Sequence, residues 1–111
     1  MAWVSVTGLR LKGPLNVFRF FWHAIPSKAQ ADRAKGCLRA EVKALDGMQH
    51  TLTVWDSRQD MLLYRNNGAH LKAMKVFRKI ATGRIYGFEH ADTKIGWDEA
   101  LDHWRKFSKE Y

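Results

Sequence analysis

A tight-turn signal near the middle of the chain constrains the fold most. Asp46-Gly47 separates two runs that favour β-strands, Cys37–Leu45 and Met48–Trp55. In the first run charged and apolar side chains alternate, as they do along a half-exposed strand. An Asp-Gly pair between two such runs is typical of a two-residue hairpin turn. The sequence therefore predicts an antiparallel hairpin over residues 37–55.

Hydrophobic patterns on both sides of the hairpin predict the remaining elements. Apolar residues at three- and four-residue spacing indicate helices, and short runs of β-branched and aromatic residues indicate strands. Pro26 lies inside the first helical pattern, where we expect a kink or a fresh start. Asp56, with Gln59 three residues on, is expected to cap a later helix. The predicted elements are a strand over 2–9, a helix over 15–34, the hairpin, helices over 56–65 and 69–81, a strand over 84–90 and a helix over 97–111.

This order is β-α-β-β-α-β followed by a helix, the ferredoxin-like arrangement of the α+β class. The 111 residues are enough for one domain, 1–111, and too few for two. The first and third strands carry few charges on either face, as strands covered on both sides do. We therefore expect the sheet face away from the two main helices to be closed by a second copy. The expected assembly is a homodimer through the sheet face, a dimeric α+β barrel.

The net charge of the chain indicates which binding partners are expected. The chain carries 19 Lys and Arg against 11 Asp and Glu, a formal charge of +8. A basic protein favours anionic partners such as nucleic acid. However, the charges are spread along the chain, and the strands lack the aromatic run of an RNA-recognition motif. Nucleic acid is therefore the least favoured partner, and a basic solvated surface is the simpler interpretation.

The cysteine content and the lengths of the apolar runs indicate the cellular compartment in which the protein is expected. The single cysteine, Cys37, cannot form an internal disulfide, which favours a reducing environment. The N-terminus lacks a long apolar run, so no signal peptide is expected. The most apolar stretch, residues 17–25, is interrupted by Arg19 and His23 and is shorter than the roughly 20 residues of a membrane helix. We expect a cytoplasmic protein with no membrane partner.

Three local patterns resemble the dimeric α+β barrel superfamily that includes the antibiotic-biosynthesis-monooxygenase-like domains. They are AKGCLRAE at 34–41, TLTVWDS at 51–57 and GAHLKAM at 68–74. The first resembles a helix-to-strand junction in which this family more often has proline where the chain has Lys35. The second resembles a strand ending in Trp-Glu/Asp-Ser, and the third a helix start with a histidine. The similarity covers most of residues 2–90 and is greatest to the branch around spheroidene monooxygenase, whose members are much longer.

The resemblance implies several activities. The superfamily includes cofactor-free quinone-forming monooxygenases, haem-degrading monooxygenases, haem peroxidases and proteins without a known reaction. Our hypothesis is a monooxygenase-like protein that binds a flat apolar ligand, either haem or a polycyclic or isoprenoid substrate, between sheet and helices. The alternative is a non-catalytic ligand-binding or interaction module, because a shared fold does not transfer chemistry. The resemblance is equally consistent with a haem cofactor and with no cofactor.

His70 is the leading catalytic candidate. It shares a helical face with Ala73, Met74 and Phe77, which places it at the boundary of the core or of a cavity. There it would act as a general base on an acidic substrate carbon. The resemblance also implies a haem-ligand role, because haem-binding relatives place a histidine on the corresponding helix. The simpler alternative is a half-buried histidine bonded to the backbone.

The other candidates are weaker. Trp55 is expected to wall the pocket at the end of its strand, or else to be a core residue. The resemblance implies that Asn66 and Asn67 orient a substrate oxygen, although turn geometry explains them more simply. The remaining candidate ligand contacts, for which ordinary packing is the alternative, are Trp22, Ser5 and Thr7. No metal signature, phosphate-binding loop or dinucleotide fingerprint is present in the sequence, so we predict no metal site.

Overall fold

A sheet of five antiparallel strands forms the middle layer of the molecule, of which the computed structural model describes residues 1–110. The strand order is β2-β3-β1-β4-β5. The elements are β1 Ala2–Leu11, α1 Asn16–Arg33, β2 Cys37–Leu45, β3 Met48–Trp55, α2 Arg58–Arg65, α3 Gly68–Ile80, β4 Ala81–His90, α4 Trp97–Phe107 and β5 Lys109–Glu110. This confirms the predicted α+β, ferredoxin-like order with a C-terminal helix. The second helical segment of that order is divided into α2 and α3.

The hairpin that the sequence predicts is present as β2 and β3. Asp46 and Gly47 form its turn with φ of 52° and 76°, and two positive values are what a type I′ hairpin turn requires. The pairing runs from Leu45 opposite Met48 to Cys37 opposite Trp55, with one irregularity in register between Cys37 and Arg39.

Several predicted element ends are wrong by a few residues. The first helix is one element that contains Pro26. The cap of α2 is Ser57 and not Asp56, because the Ser57 hydroxyl accepts a 3.1 Å hydrogen bond from the backbone N–H of Asp60. The last strand of the predicted order begins at Ala81, directly after α3. The final helix ends at Phe107, and Tyr111, which was expected on it, lies outside the described residues.

One face of the sheet is covered by α4. Val4, Val6, Leu52 and Val54 point to this face and have no exposed surface. They pack against the apolar side of α4, which includes Ala100, Leu101 and Trp104. The expectation that this face lies open in a single chain is therefore wrong, because the C-terminal helix buries it.

Close approach and a polar tie fix α4 in place. A Cβ on Gly8 would collide with the Trp104 ring, so a residue without a side chain is what lets this ring lie against β1. The Trp97 indole donates a 2.9 Å hydrogen bond to Glu41 on β2, and the Trp104 indole donates one of the same length to the carbonyl of Arg84. The helix therefore crosses the sheet from the edge strand β2 to β4.

The opposite face of the sheet carries α1, α2 and α3. Alternation along β1 turns Ser5, Thr7 and Leu9 to this side, and their partners on β3 are Thr53, Thr51 and Gln49. The helices do not fill the space above these residues, and a cavity remains there. No helix within residues 1–110 is long and apolar enough to cross a membrane.

Candidate functional site

The cavity has a volume of about 210 Å³ and lies between the sheet and the helices. Its floor includes strand residues with hydroxyl groups or small apolar side chains: Ser5, Thr7, Thr51, Thr53, Ala40 and Val42. Its helical walls are mostly aromatic and apolar: Phe20, Phe21, Ile25, Met61, Met74 and Phe77. An apolar cavity with a few polar groups is the usual form of a small-molecule site.

Four hydroxyl groups form a polar strip on the floor. Ser5 pairs with Thr53 and Thr7 with Thr51 in the β1–β3 register, so the four side chains share one face. The structure places both Ser5 and Thr7 in the lining of the cavity, while their role in ligand binding stays a prediction. Thr51 and Thr53 were missed, although alternation along β3 places them opposite the other two.

His70 lies in the first turn of α3 and lines the cavity. Its backbone N–H donates a 2.9 Å hydrogen bond to Gln30 Oε1. Its ring Nδ1 lies 3.1 Å from the carbonyl oxygen of Arg65. Because a carbonyl can only accept, the proton of the neutral ring belongs on Nδ1, and Nε2 keeps a lone pair.

The environment of His70 keeps its ring uncharged. Burial lowers the pKa of His70 from its ordinary value of 6.5. The hydrogen bond to the Arg65 carbonyl opposes this shift, and the Arg65 charge adds to it. A neutral imidazole with a fixed tautomer can accept a proton at neutral pH. This arrangement has the chemistry of a general base.

Tyr64 joins His70 to the first helix. The two ring centroids are 4.5 Å apart, and the Tyr64 hydroxyl lies 3.0 Å from Ser27 Oγ and donates to the Ser27 carbonyl oxygen at 3.2 Å. Gln30 Nε2 donates to the Tyr64 carbonyl at 3.1 Å. Sequence reasoning missed Tyr64 and Ser27, because their proximity depends on how α1 packs on α2.

Trp55 does not wall the cavity. It has no exposed surface, and its indole Nε1 has no hydrogen-bond partner within residues 1–110. Its ring packs under Tyr64, with centroids 5.1 Å apart. The prediction of a ligand contact is corrected to a core residue, because α2 folds back over the end of β3 and buries it.

Three further candidates also lie away from the cavity. Trp22 is 79% exposed on the outer side of α1. Asn66 and Asn67 are exposed in the turn between α2 and α3, where Asn67 Nδ2 donates a 2.7 Å hydrogen bond to the Leu63 carbonyl. The two asparagines end one helix and begin the next, which is the turn role that the sequence offered as the simpler alternative.

The size of the cavity does not fit a haem group. His70 Nε2 is a donor that can coordinate haem iron. The cavity, however, is smaller than the roughly 300–1,000 Å³ of sites for drug-sized ligands, and a porphyrin exceeds such ligands in size. Within residues 1–110, no three His, Cys, Asp or Glu side chains are placed to hold a metal ion. The cavity has room for an organic ligand smaller than a porphyrin.

Comparisons with known proteins identify solved structures that share this fold. No protein-family model matches the sequence, and no curated protein matches it. Solved structures do match. SnoaB from Streptomyces nogalater, a cofactor-independent oxygenase, has a TM-score of 0.68 at 15% identity over 86% of this chain and 98% of its own. Rv0793 from Mycobacterium tuberculosis has a TM-score of 0.72 at 12% identity, over 84% and 99%.

An antibiotic biosynthesis monooxygenase also matches, with a TM-score of 0.68 at 8% identity over 80% of this chain and 99% of its own. The chain therefore has the ferredoxin-like α+β fold of the antibiotic-biosynthesis-monooxygenase-like proteins, the fold that its sequence motifs resemble. Identities this low establish the fold alone. The similarity to the spheroidene monooxygenase branch stays a prediction.

Proposed function

We propose that this protein is a cofactor-independent oxygenase for a small, flat, apolar substrate with an acidic carbon. The observation that carries the proposal is the neutral His70, whose tautomer leaves Nε2 as the basic nitrogen of a residue in an apolar cavity wall. The similarity in fold to SnoaB, described as a cofactor-independent oxygenase, supports the same reaction class.

In the proposed mechanism, each group in the cavity has a separate role. The substrate rings lie between the aromatic walls and the strands, and the hydroxyls of Ser5, Thr7, Thr51 and Thr53 orient its oxygen atoms. His70 Nε2 removes a proton from the acidic carbon, and the Arg65 carbonyl stabilises the resulting imidazolium through Nδ1–H. The substrate carbanion then reacts with dioxygen. A methylene becomes a carbonyl with one oxygen atom, and the other leaves as water with the two hydrogens.

Oxygen uptake with anthrone as the probe tests this proposal. Anthrone has an acidic methylene within a flat ring system, and its product would be anthraquinone. We expect one dioxygen consumed per anthraquinone formed, and a decrease of about 100-fold or more in the His70→Gln variant. His103→Gln on α4, remote from the cavity, is the matched control. Anthrone binding without oxygen uptake would favour the non-catalytic ligand-binding alternative.

A homodimer through the α4 side of the sheet is part of this proposal. Because α4 already covers the strands, such a dimer would bury the outer surface of α4, where Phe107 is 53% exposed. Light scattering tests it. We expect twice the chain mass for the wild type and a single-chain mass for Phe107→Asp. A monomeric wild type would contradict the proposed homodimer.

A cytoplasmic location is also proposed. Cys37 is a free thiol, and burial raises its pKa, which disfavours the reactive thiolate. A protein with one unpaired cysteine suits a reducing compartment. Cell fractionation with a tagged full chain tests this location.

A further inference from the structure

We propose that the outer face of α1 docks this protein onto an anionic lipid bilayer. Four apolar side chains lie on that face at spacings of three and four residues, Leu15, Phe18, Trp22 and Ile25. Their exposed fractions are 87%, 84%, 79% and 66%. A continuous apolar stripe of this kind on one helix marks an interaction surface, whereas single exposed apolar residues are ordinary.

The charge around this outer face is complementary to anionic lipid. Residues 12–31 contain Lys12, Arg19 and Lys28 and no Asp or Glu. Lys28 pairs with Asp32 at 2.8 Å, whereas Lys12 and Arg19 form no ion pair within residues 1–110. A helix with an aromatic stripe and flanking cations is the form that binds at the interface of a membrane.

The same charges disfavour a second copy of the chain on this face. Two copies meeting here would bring Lys12 and Arg19 of each chain together, and Asp32 at the C-terminal end of α1 is already paired with Lys28. A bilayer with anionic headgroups neutralises these cations instead. The whole chain, at +8, is attracted to the same surface.

The outer face is continuous with the cavity. Ile25 belongs to the stripe and also lines the cavity, as does the neighbouring Phe21, which is 44% exposed. A docked α1 would therefore bring the wall of the cavity that contains Ile25 and Phe21 to the lipid surface, close to an apolar ligand dissolved there. The docking itself does not depend on the oxygenase proposal.

Docking of α1 on a bilayer differs from the sequence-based expectation of no membrane partner. That expectation rested on the length of residues 17–25, which are too few to span a bilayer. Lying on a surface requires one apolar helical face and not a continuous apolar run. Arg19 and His23, which interrupt the run, lie beside the stripe.

Co-sedimentation of the full chain with vesicles tests the proposal. One set of vesicles contains phosphatidylcholine alone, and the other contains phosphatidylcholine mixed with phosphatidylserine. We expect binding to the mixed vesicles about tenfold or more tighter than to phosphatidylcholine, weakening with added salt. The Phe18→Ser, Trp22→Ser double variant should lose binding, and Lys12→Glu with Arg19→Glu should weaken it about tenfold or more.

Leu63→Ser on α2 is the matched control, because Leu63 is 60% exposed outside the stripe. It should bind as the wild type does, and all variants should keep the wild-type unfolding temperature. Absence of wild-type binding to the mixed vesicles, or unchanged binding by the Phe18→Ser, Trp22→Ser variant, would overturn the proposal. A wild-type dimer that becomes a monomer in that double variant would assign the face to a second copy and also overturn it.

Discussion

The rings of Tyr64 and His70 lie with their centroids 4.5 Å apart and their planes inclined by 48°. Tyr64 is held from behind by Trp55 and from the side by Ser27. The His70 ring is therefore fixed by a chain of contacts from the sheet through α2. In the proposed mechanism the base must be oriented before its substrate arrives, and this packing would orient the ring without a carboxylate partner from residues 1–110.

Gln30 is predicted to be a main support of the site. Its amide accepts from the His70 N–H and donates to the carbonyls of Tyr64 and Asn67, at 2.9, 3.1 and 3.0 Å. Gln30→Ala should lower the free energy of unfolding by about 1–3 kcal/mol, because half-buried backbone groups lose their partners. Urea unfolding measures this, with the exposed Gln59→Ala as control. An equal decrease in the free energy of unfolding for the two substitutions would contradict a supporting role for the Gln30 hydrogen bonds.

Gly8→Ala should destabilise the fold through α4. The new methyl group would meet Trp104 and, at 2.9 Å, the ring of His50. Overpacking of this kind costs about 1–3 kcal/mol. Gly96→Ala, where a Cβ meets nothing within 4 Å, is the comparison and should destabilise the fold less than Gly8→Ala does, because it loses only the preference for glycine over alanine at the N-cap of α4. A tolerated Gly8→Ala would mean that α4 does not pack closely on β1.

Stability should fall as the pH decreases below about 6.5. Burial lowers the pKa values of His70 and His50, so the unfolded chain binds protons in a range where the folded chain does not. Their contribution is complete above the unfolded value of 6.5 and is lost on acidification. His90, whose pKa is raised by its bonds to Asp92 and Glu99, acts in the opposite direction, but it lies near the surface.

The measurement is the thermal unfolding midpoint between pH 7.5 and 5.5, values that bracket the ordinary pKa of histidine. The His70→Gln variant should show a smaller decrease than the wild type, and His90→Gln a larger one. A decrease of equal size in the wild type and in His70→Gln would show that folding does not favour the neutral form of His70.

Haemin should not bind stoichiometrically. The cavity of about 210 Å³ is too small for it, although His70 offers a coordinating nitrogen. An absorption titration with haemin should therefore show no Soret shift that saturates at one haem per chain. A saturating shift that is lost in His70→Ala would contradict this and return the protein to the haem-using hypothesis.

Local chemistry explains what the sequence predicted well. The Asp46-Gly47 turn fixes the hairpin through the backbone freedom of these residues, and helical spacing placed His70 beside Met74 and Phe77 at the cavity. These signals lie within a few residues of one another. Such local signals can therefore be read from the sequence without knowledge of the tertiary structure.

Tertiary packing explains what the sequence did not predict. The position of α4 on the sheet follows from the close approach of Trp104 to Gly8, which are far apart in sequence. Trp22 was considered for the core or the ligand because aromatic residues are usually buried, whereas the structure exposes it. Tyr64 reaches Ser27 only because α1 and α2 pack together.

The protonation state of His70 tests the proposed general base most directly. It can be measured by nitrogen-15 NMR of the histidine side chains over a pH series. The His70→Gln spectrum assigns the His70 signals. We predict a neutral ring with its proton on Nδ1 and a pKa below 6.5. His90 in the same spectra should titrate above 6.5 and serves as an internal reference. A His70 ring that carries its proton on Nε2, or that is charged at neutral pH, would contradict the proposed general base.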